Sequence, residues 1–347
     1  MFSAGCSNGE ISPAWPVVSH PAVSVAPIKL PTRNTQASYL YVADSANSEN
    51  AQVDFLLREN LAKGIVGKIR KRIQYPAGIF IDRSDTLYVA NGLDSGGHDT
   101  VTAYKPGTEK PFRTYRGLCF AADVVAGLDG TVYVADLCGG TAPPIVHARG
   151  DSCVENGEVR VYAAGGTKQV RLLHFKGGPF SLTLDDKNDL YVGYENACGY
   201  NGQVRRYAPG AVKGVDLLPP NTIFSIGGIA LDRRSELLAV DVLRGRIDVF
   251  SAEHEPPSRI ITTGQSLPNR LVFDNLENRL YVTSLYLPDL RGHLSLQHAG
   301  LSGPKRPNTL VVIDYPSGKL LTLRKLVYGW LPSGVAVFSP APFGPEF

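Results

Sequence analysis

The chain has 347 residues, a length that suits two ordinary domains or one large domain built from repeats. Hydrophobic residues make up 43% and charged residues 19% of the sequence, which is typical of a folded protein and too apolar for a disordered one. The net charge is +3 and the Lys and Arg residues are scattered, so electrostatics does not favour a nucleic-acid partner. The 36 Gly and 25 Pro residues indicate many tight turns and few long helices.

Residues 1–37 are interpreted as an anchor-like segment followed by a Pro-rich tether. The stretch "SAGC", which ends at Cys6, resembles the end of a bacterial lipoprotein signal, although no basic and apolar regions precede it. The following residues, "ISPAWPVVSHPAVSVAPIKLP", are rich in Pro, Ser, Ala and Val, which predicts an extended tether. Cys6 is therefore a candidate lipidation site, and a lipid on this residue would attach the protein to a membrane. The alternative is a disordered N-terminus with an incidental cysteine.

One apolar motif occurs six times along the chain. Its copies are "YLYVAD" (39–44), "TLYVAN" (86–91), "TVYVAD" (131–136), "DLYVGY" (189–194), "ELLAVD" (236–241) and "RLYVTS" (279–284). Before most copies lies a run that ends in Asp and a turn, such as "AGIFID" (77–82), and after them lies a third run, such as "EVRVY" (158–162). A looser fourth run, such as "VRLLHF" (170–175), completes the unit. All four runs have the length and the β-branched or aromatic content of strands.

A unit of four short antiparallel strands cannot bury both of its faces alone, but six such units arranged radially bury each sheet against its neighbours. We therefore predict an all-β fold, a six-bladed β-propeller over residues 38–338, with a C-terminal tail at 339–347. The first copy has no first strand before it, whereas "LPSGVAVF" (331–338) is a first strand with no second strand after it. The C-terminal strand is thus predicted to complete the first blade and close the ring.

In wording and register, "P-x-G-I-x-x-D", "LYVAD" and "V-x-VY", the repeats resemble NHL-type propellers. They resemble more loosely the six-bladed enzymes of the lactonase type, similar to SMP-30, and of the strictosidine-synthase-like type. The resemblance covers about residues 38–338. It implies the architecture more strongly than an activity, because NHL propellers include RNA binders, protein scaffolds, sensor domains and an amidating lyase.

The loops between second and third strands are long and uneven, and they share one face of the disc, so we expect binding groups there. Four second strands end in Asp or Asn on that face, at Asp44, Asn91, Asp136 and Asp241. One interpretation is that these side chains accept backbone N–H bonds of the next loop. The other is that they and Glu195 bind a Ca²⁺ or Mg²⁺ ion at the channel mouth, although Tyr194 and Ser284 interrupt the ring.

The same face supplies the remaining candidates. His98 and His147 are candidate general bases for an enzyme. Candidate ligand-binding residues are Asn91, Asp94, His98, Tyr194, Glu195, Arg244, Tyr286 and Arg291.

Four cysteines other than Cys6 are assigned by the repeat to this face. A hairpin that turns at 128–130 brings Cys119 and Cys138 nearly opposite each other, so we favour Cys119–Cys138 with Cys153–Cys198 over a Cys138–Cys153 pair. Disulfides indicate an oxidising compartment. Reduced thiols in a cytoplasmic protein remain the alternative.

Three functions are compatible with these observations. The favoured one is a non-catalytic, monomeric, extracytoplasmic propeller that binds a protein, glycan or small ligand at its loop-rich face. The second is a metal-dependent hydrolase or lyase of the lactonase type. The third is a cytoplasmic NHL-type scaffold for RNA or protein, which the weak net charge disfavours.

Overall fold

The computed structural model describes residues 38–44, 51–92, 99–137, 145–146, 152–153, 156–196, 201–251, 256–264, 267–285, 309–325 and 332–338. The predicted segments 1–37 and 339–347 lie outside these ranges. The described strands are β1 (Tyr39–Asp44), β2 (Gln52–Leu57), β3 (Ile65–Ile69), β4 (Pro76–Ile81), β5 (Leu87–Asn91), β6 (Asp99–Tyr104), β7 (Arg113–Leu118), β8 (Ala121–Ala126), β9 (Val132–Asp136), β10 (Ile145–Val146), β11 (Ser152–Cys153), β12 (Glu158–Tyr162), β13 (Gln169–His174), β14 (Gly177–Leu184), β15 (Leu190–Asn196), β16 (Gly202–Tyr207), β17 (Val215–Asp216), β18 (Ile226–Leu231), β19 (Leu237–Asp241), β20 (Arg246–Phe250), β21 (Arg259–Thr262), β22 (Leu267–Phe273), β23 (Arg279–Leu285), β24 (Thr309–Asp314), β25 (Leu320–Lys325) and β26 (Pro332–Phe338).

These strands form six antiparallel sheets of four strands, which are the blades. Their orders are β26-β1-β2-β3 in blade 1, β4-β5-β6-β7 in blade 2, β8-β9-β12-β13 in blade 3, β14-β15-β16-β17 in blade 4, β18-β19-β20-β21 in blade 5 and β22-β23-β24-β25 in blade 6. The small hairpin β10–β11 lies in the connection between β9 and β12 of blade 3. The 3₁₀ helix Arg58–Lys63 follows β2. Within the described ranges, no helix has the length and apolar character needed to cross a membrane.

The first strands of the blades form a closed ring around the axis. Each contacts the first strand of the next blade, in the order β4, β8, β14, β18, β22, β26 and back to β4. The prediction of six blades with the recurring Leu-Tyr-Val-Ala motif as their second strand is therefore confirmed.

The C-terminal strand completes blade 1, as the sequence predicts. β26 pairs antiparallel with β1, with Phe338 opposite Tyr39 and Ala336 opposite Tyr41. β26 covers the edge of β1, and because it also contacts the first strands of both neighbouring blades, it joins the last blade to the second.

The second strands are nearly continuously apolar because each lies between the sheets of neighbouring blades. All five residues of β5, β9 and β19 are buried. The apolar clusters cross from blade to blade: one contains Tyr41 and Phe55 of blade 1 together with Val89 of blade 2. The repeated motif is thus the packing unit of the core.

The Asp that ends most first-strand runs holds the turn to the second strand. The Oδ1 atom of Asp82 accepts the N–H groups of Ser84 and Thr86, at 2.8 and 2.9 Å, and Asp185 and Asp232 repeat this arrangement. Each turn also places a residue in the left-handed region, such as Asp85 at φ 61°. Asp, Asn and Ser suit such turns because their side chains bond the local backbone.

Candidate functional site

Asp136, at the end of β9, is fully buried and holds the loop that enters its own blade. Its Oδ1 atom accepts the backbone N–H groups of Cys119 at 3.1 Å and Phe120 at 3.0 Å. Its Oδ2 atom accepts Nε–H of Arg160 at 2.8 Å. The carboxylate therefore fixes the path of the chain into the first strand of blade 3.

Asp241 and Asn91 hold the equivalent loops of blades 5 and 2. Asp241 Oδ2 accepts the N–H of Phe224 at 2.9 Å and Nη1–H of Arg244 at 3.1 Å. Asn91 Oδ1 accepts the N–H of Gln74 at 3.0 Å. In Asn91, Asp136 and Asp241 a backbone donor lies 17 residues earlier in the chain. The expected backbone bonds are present, but they come mainly from the preceding connection rather than from the next loop, because that connection also reaches this face.

Of two further candidates of the metal hypothesis, Asp44 is buried and Glu195 is partly buried. Asp44 lies at the end of β1 opposite Gln52. Glu195 Oε1 accepts the hydroxyl of Ser225 at 2.7 Å, which links blades 4 and 5, and burial raises the pKa of this carboxyl. Within the described part of the chain, no group of three or more His, Cys, Asp or Glu residues is arranged to hold a metal ion.

Several candidates fall outside the described residues. They are Cys6, Asp94, His98, Cys138, His147, Cys198, Tyr286 and Arg291, together with the side chain of Cys153. Cys119 is disulfide-bonded. Because the side chains of all the other cysteines lie outside the described part, the favoured pairing stays a prediction.

A cleft of about 690 Å³ opens on the loop-rich face between blades 3 and 4. It is lined by the ends of β13, β15 and β16 and by the segments that follow or precede them. The lining residues are Asn156, His174, Phe175, Lys176, Tyr194, Asn196, Asn201, Gln203, Arg205, Asp216 and Pro220. Of the predicted ligand-binding residues, the structure places Tyr194 in this cleft.

Arg205, in β16, is the best-fixed charge of the cleft. Its Nε and Nη2 atoms donate to the two carboxylate oxygens of Asp216 at 2.7 and 2.9 Å, and Nη2 also donates to the Tyr194 hydroxyl at 2.9 Å. The guanidinium carbon lies 4.9 Å from the ring centroid of Tyr194 and 5.4 Å from that of Phe175. Bidentate pairing and stacking on aromatic faces are the contacts for which arginine is suited, so this group is preorganised.

The charges of this network shift the pKa values of its members. Burial acts to raise the pKa of Asp216, but the hydrogen bonds from Arg205 and Tyr194 outweigh it and lower that pKa below its ordinary value. Burial is also the largest cause of the raised pKa of the Tyr194 hydroxyl, which donates to Asp216 at 2.9 Å. At neutral pH the cleft therefore presents a fixed ion pair and a neutral phenol.

The rim of the cleft carries exposed polar groups. Asn156, His174, Lys176 and Asn196 are exposed, and His174 Nδ1 lies 3.2 Å from Glu158 Oε1. The amide of Gln203 is buried and holds the backbone of Leu218. Sequence reasoning missed the pair of Arg205 and Asp216. The only signal was the Arg-Arg pair in "QVRRY", because no other third strand of a blade has two adjacent arginines.

No protein-family model matches the chain, and no curated protein matches it in sequence. Solved structures do resemble it. A chain of a nidogen–laminin complex is 14% identical with a TM-score of 0.60, and the match covers 86% of this chain and 98% of that one. A protein of unknown function from Bacteroides caccae is 13% identical with a TM-score of 0.58, covering 87% and 98%. A putative 6-phosphogluconolactonase from Bacteroides uniformis is 10% identical with a TM-score of 0.53, covering 83% of each chain.

At such low identity these likenesses concern the fold alone. They agree with the ring of six sheets: the chain is a six-bladed β-propeller with four-stranded antiparallel blades, and its structural neighbours include a lactonase-like propeller.

Proposed function

We propose that the protein is a binding propeller that works outside the cytoplasm and holds a small glycan in the cleft between blades 3 and 4. The observation that carries the proposal is the cleft itself, about 690 Å³ in volume and located on the loop-rich face. Its volume lies within the range of about 300–1,000 Å³ typical of small-molecule sites.

The lining favours a ligand rich in hydroxyl groups. Exposed amide side chains, such as Asn156 and Asn196, each offer both a donor and an acceptor, which suits hydroxyls that also donate and accept. Lys176 adds donors at the rim, and the fixed pair of Arg205 with Asp216 provides a rigid floor. Because the floor is preorganised, a ligand would bind without the entropic cost of ordering it.

The proposed location rests on the cysteines. Cys119 is disulfide-bonded, which supports an oxidising compartment. The "SAGC" stretch supports a lipid on Cys6, and the Pro-rich residues behind it would hold the propeller away from the membrane surface.

The test is calorimetric titration of the protein with a panel of neutral and acidic oligosaccharides. We expect at least one to bind saturably, and Lys176→Ala and Asn196→Ala to weaken its binding by about threefold to tenfold, the effect of losing one ordinary hydrogen bond. Lys187→Ala is the matched control, because Lys187 is exposed on the opposite face of blade 4. Failure of every oligosaccharide to bind, or equal binding by all three variants, would refute the proposal.

A further inference from the structure

One position of the repeat has the same place in the ladder of all six first strands. The residue that follows it is paired with the middle of the second strand in every blade, as in Ile79 with Val89 and Leu271 with Val282. The ladder register also shifts next to this position in all six blades, and bulges of this kind redirect side chains. In blade order, the residues at this position are Gly334, Gly78, Asp123, Ser181, Gly228 and Arg270.

Glycine occupies three of the six positions because the first strands approach one another closely there. A Cβ atom on Gly78 would lie 2.6 Å from the Cα atom of Asp123, and one on Gly228 would lie 3.0 Å from the Cα atom of Arg270. The ring is therefore narrow, and its only charged members are Asp123 and Arg270.

Arg270 reaches across the axis. Its Nη2 atom donates to the backbone oxygen of Ala122 at 3.1 Å. Blade 6 carries Arg270 and blade 3 carries Ala122, and in the ring of first strands these blades lie opposite each other. The guanidinium group thus lies in the channel beside Asp123, whose Oδ2 atom accepts the N–H of Leu182 at 2.9 Å.

The guanidinium group has donors to spare. Its Nε and Nη1 atoms are buried and have no hydrogen-bond partner among the residues that the structure describes, although the residue as a whole keeps some solvent exposure. Burial lowers the pKa of Arg270 and raises that of Asp123, and each charge partly offsets the effect on the other. Leaving buried N–H groups of a charged side chain without partners costs free energy. A ligand that supplies oxygen acceptors to these groups would therefore bind favourably.

We propose that Arg270 and Asp123 form an axial binding site for a small monocarboxylate, whose oxygens accept the Nε–H and Nη1–H groups of Arg270. A single negative charge suits the site because Asp123 already stands beside the arginine, and a phosphate dianion would leave the channel with excess negative charge. A hydroxyl group on the ligand would donate to Asp123 or to Ser181. This site is separate from the cleft between blades 3 and 4.

The test is calorimetric titration of the full chain with glycolate, acetate and inorganic phosphate at pH 7. We expect glycolate to bind at one site, and Arg270→Gln to weaken binding by about tenfold or more, the usual effect of losing charge-assisted hydrogen bonds. Arg279→Gln, an exposed arginine of β23, and Lys176→Ala in the cleft should leave glycolate binding unchanged.

A second variant keeps the proposal testable if Arg270→Gln does not fold. Asp123→Asn removes the competing negative charge, so it should tighten glycolate binding and allow phosphate to bind. Absence of saturable glycolate binding by the unaltered protein would overturn the assignment. So would unchanged affinity in both Arg270→Gln and Asp123→Asn, tighter binding of phosphate than of glycolate, or loss of glycolate binding in Lys176→Ala.

Discussion

Phe338 provides a direct test of ring closure, because it lies in the strand that completes blade 1. Its side chain is 2% exposed, and its ring centroid lies 6.3 Å from that of Tyr39 and 6.4 Å from that of Tyr41. The same apolar cluster contains Ile79 and Val89 of blade 2. Phe338 therefore packs within a cluster that joins two blades.

The substitution Phe338→Ala is expected to lower the free energy of unfolding by about 3–5 kcal/mol, as for other buried aromatic residues. That is a large share of the about 5–15 kcal/mol that stabilises a typical protein. Phe112→Ala is the matched control. Phe112 is 42% exposed, and the cationic groups of Lys105 and Arg113 lie 5.2 and 5.1 Å from its ring centroid, so its loss should cost about 1 kcal/mol or less.

The measurement is a urea titration followed by far-ultraviolet circular dichroism, with hydrogen exchange of the β1 amides as a local probe. The amides of β1 should lose protection in Phe338→Ala, because β26 is one of the two strands paired with β1. If Phe338→Ala costs no more than Phe112→Ala and β1 stays protected, then β26 does not contribute to the cooperative ring.

Three other substitutions test separate parts of the structure. Burial raises the pKa of Asp54 from 3.8 to about 7, so between these pH values the folded state keeps a proton that the unfolded state has lost, and stability falls as the pH rises. In urea titrations, Asp54→Asn should therefore be neutral at pH 4 and stabilising by up to about 4 kcal/mol at pH 8. An equal effect at both pH values would contradict this. Asp136→Ala leaves two backbone N–H groups and the partly buried Arg160 without their acceptor, so we expect the free energy of unfolding to fall by about 3–5 kcal/mol, measured by thermal unfolding. Gly78→Ala places a Cβ atom 2.1 Å from Oδ1 of Asp123 and should cost about 3 kcal/mol or more, whereas Gly166→Ala, with its nearest neighbour at 3.8 Å, should cost about 1 kcal/mol or less in the same assay.

The blades could be predicted from the sequence because their packing repeats. Each second strand is buried in the same surroundings, so β5, β9 and β15 need similar apolar residues at equivalent positions. The turn after the first strand repeats for a similar reason, since an Asp such as Asp82 bonds the same two N–H groups each time. Where the physical demand recurs, the residues recur.

The candidate sites could not be predicted as readily because they depend on departures from the repeat. Arg270 and Asp123 stand where three other blades have glycine, but a single sequence does not show which unlike residues face one another across a channel. The cleft joins parts of two blades that are far apart in their own repeats, such as Lys176 and Asp216. Tyr194 is the exception, because an aromatic residue at the end of a second strand on the loop-rich face is visible in the sequence as a candidate lining residue.

The pairing of Tyr39 with Phe338 also means that the ring has no fixed starting point. These residues face each other across the same edge at which Leu87 pairs with Ile81 in blade 2, where a short turn joins the two strands. A similar turn built between residues 338 and 39 would make blade 1 continuous. The chain could then be opened at the turn between the first and second strands of any other blade. The circularly permuted protein would keep all of the present strand pairings.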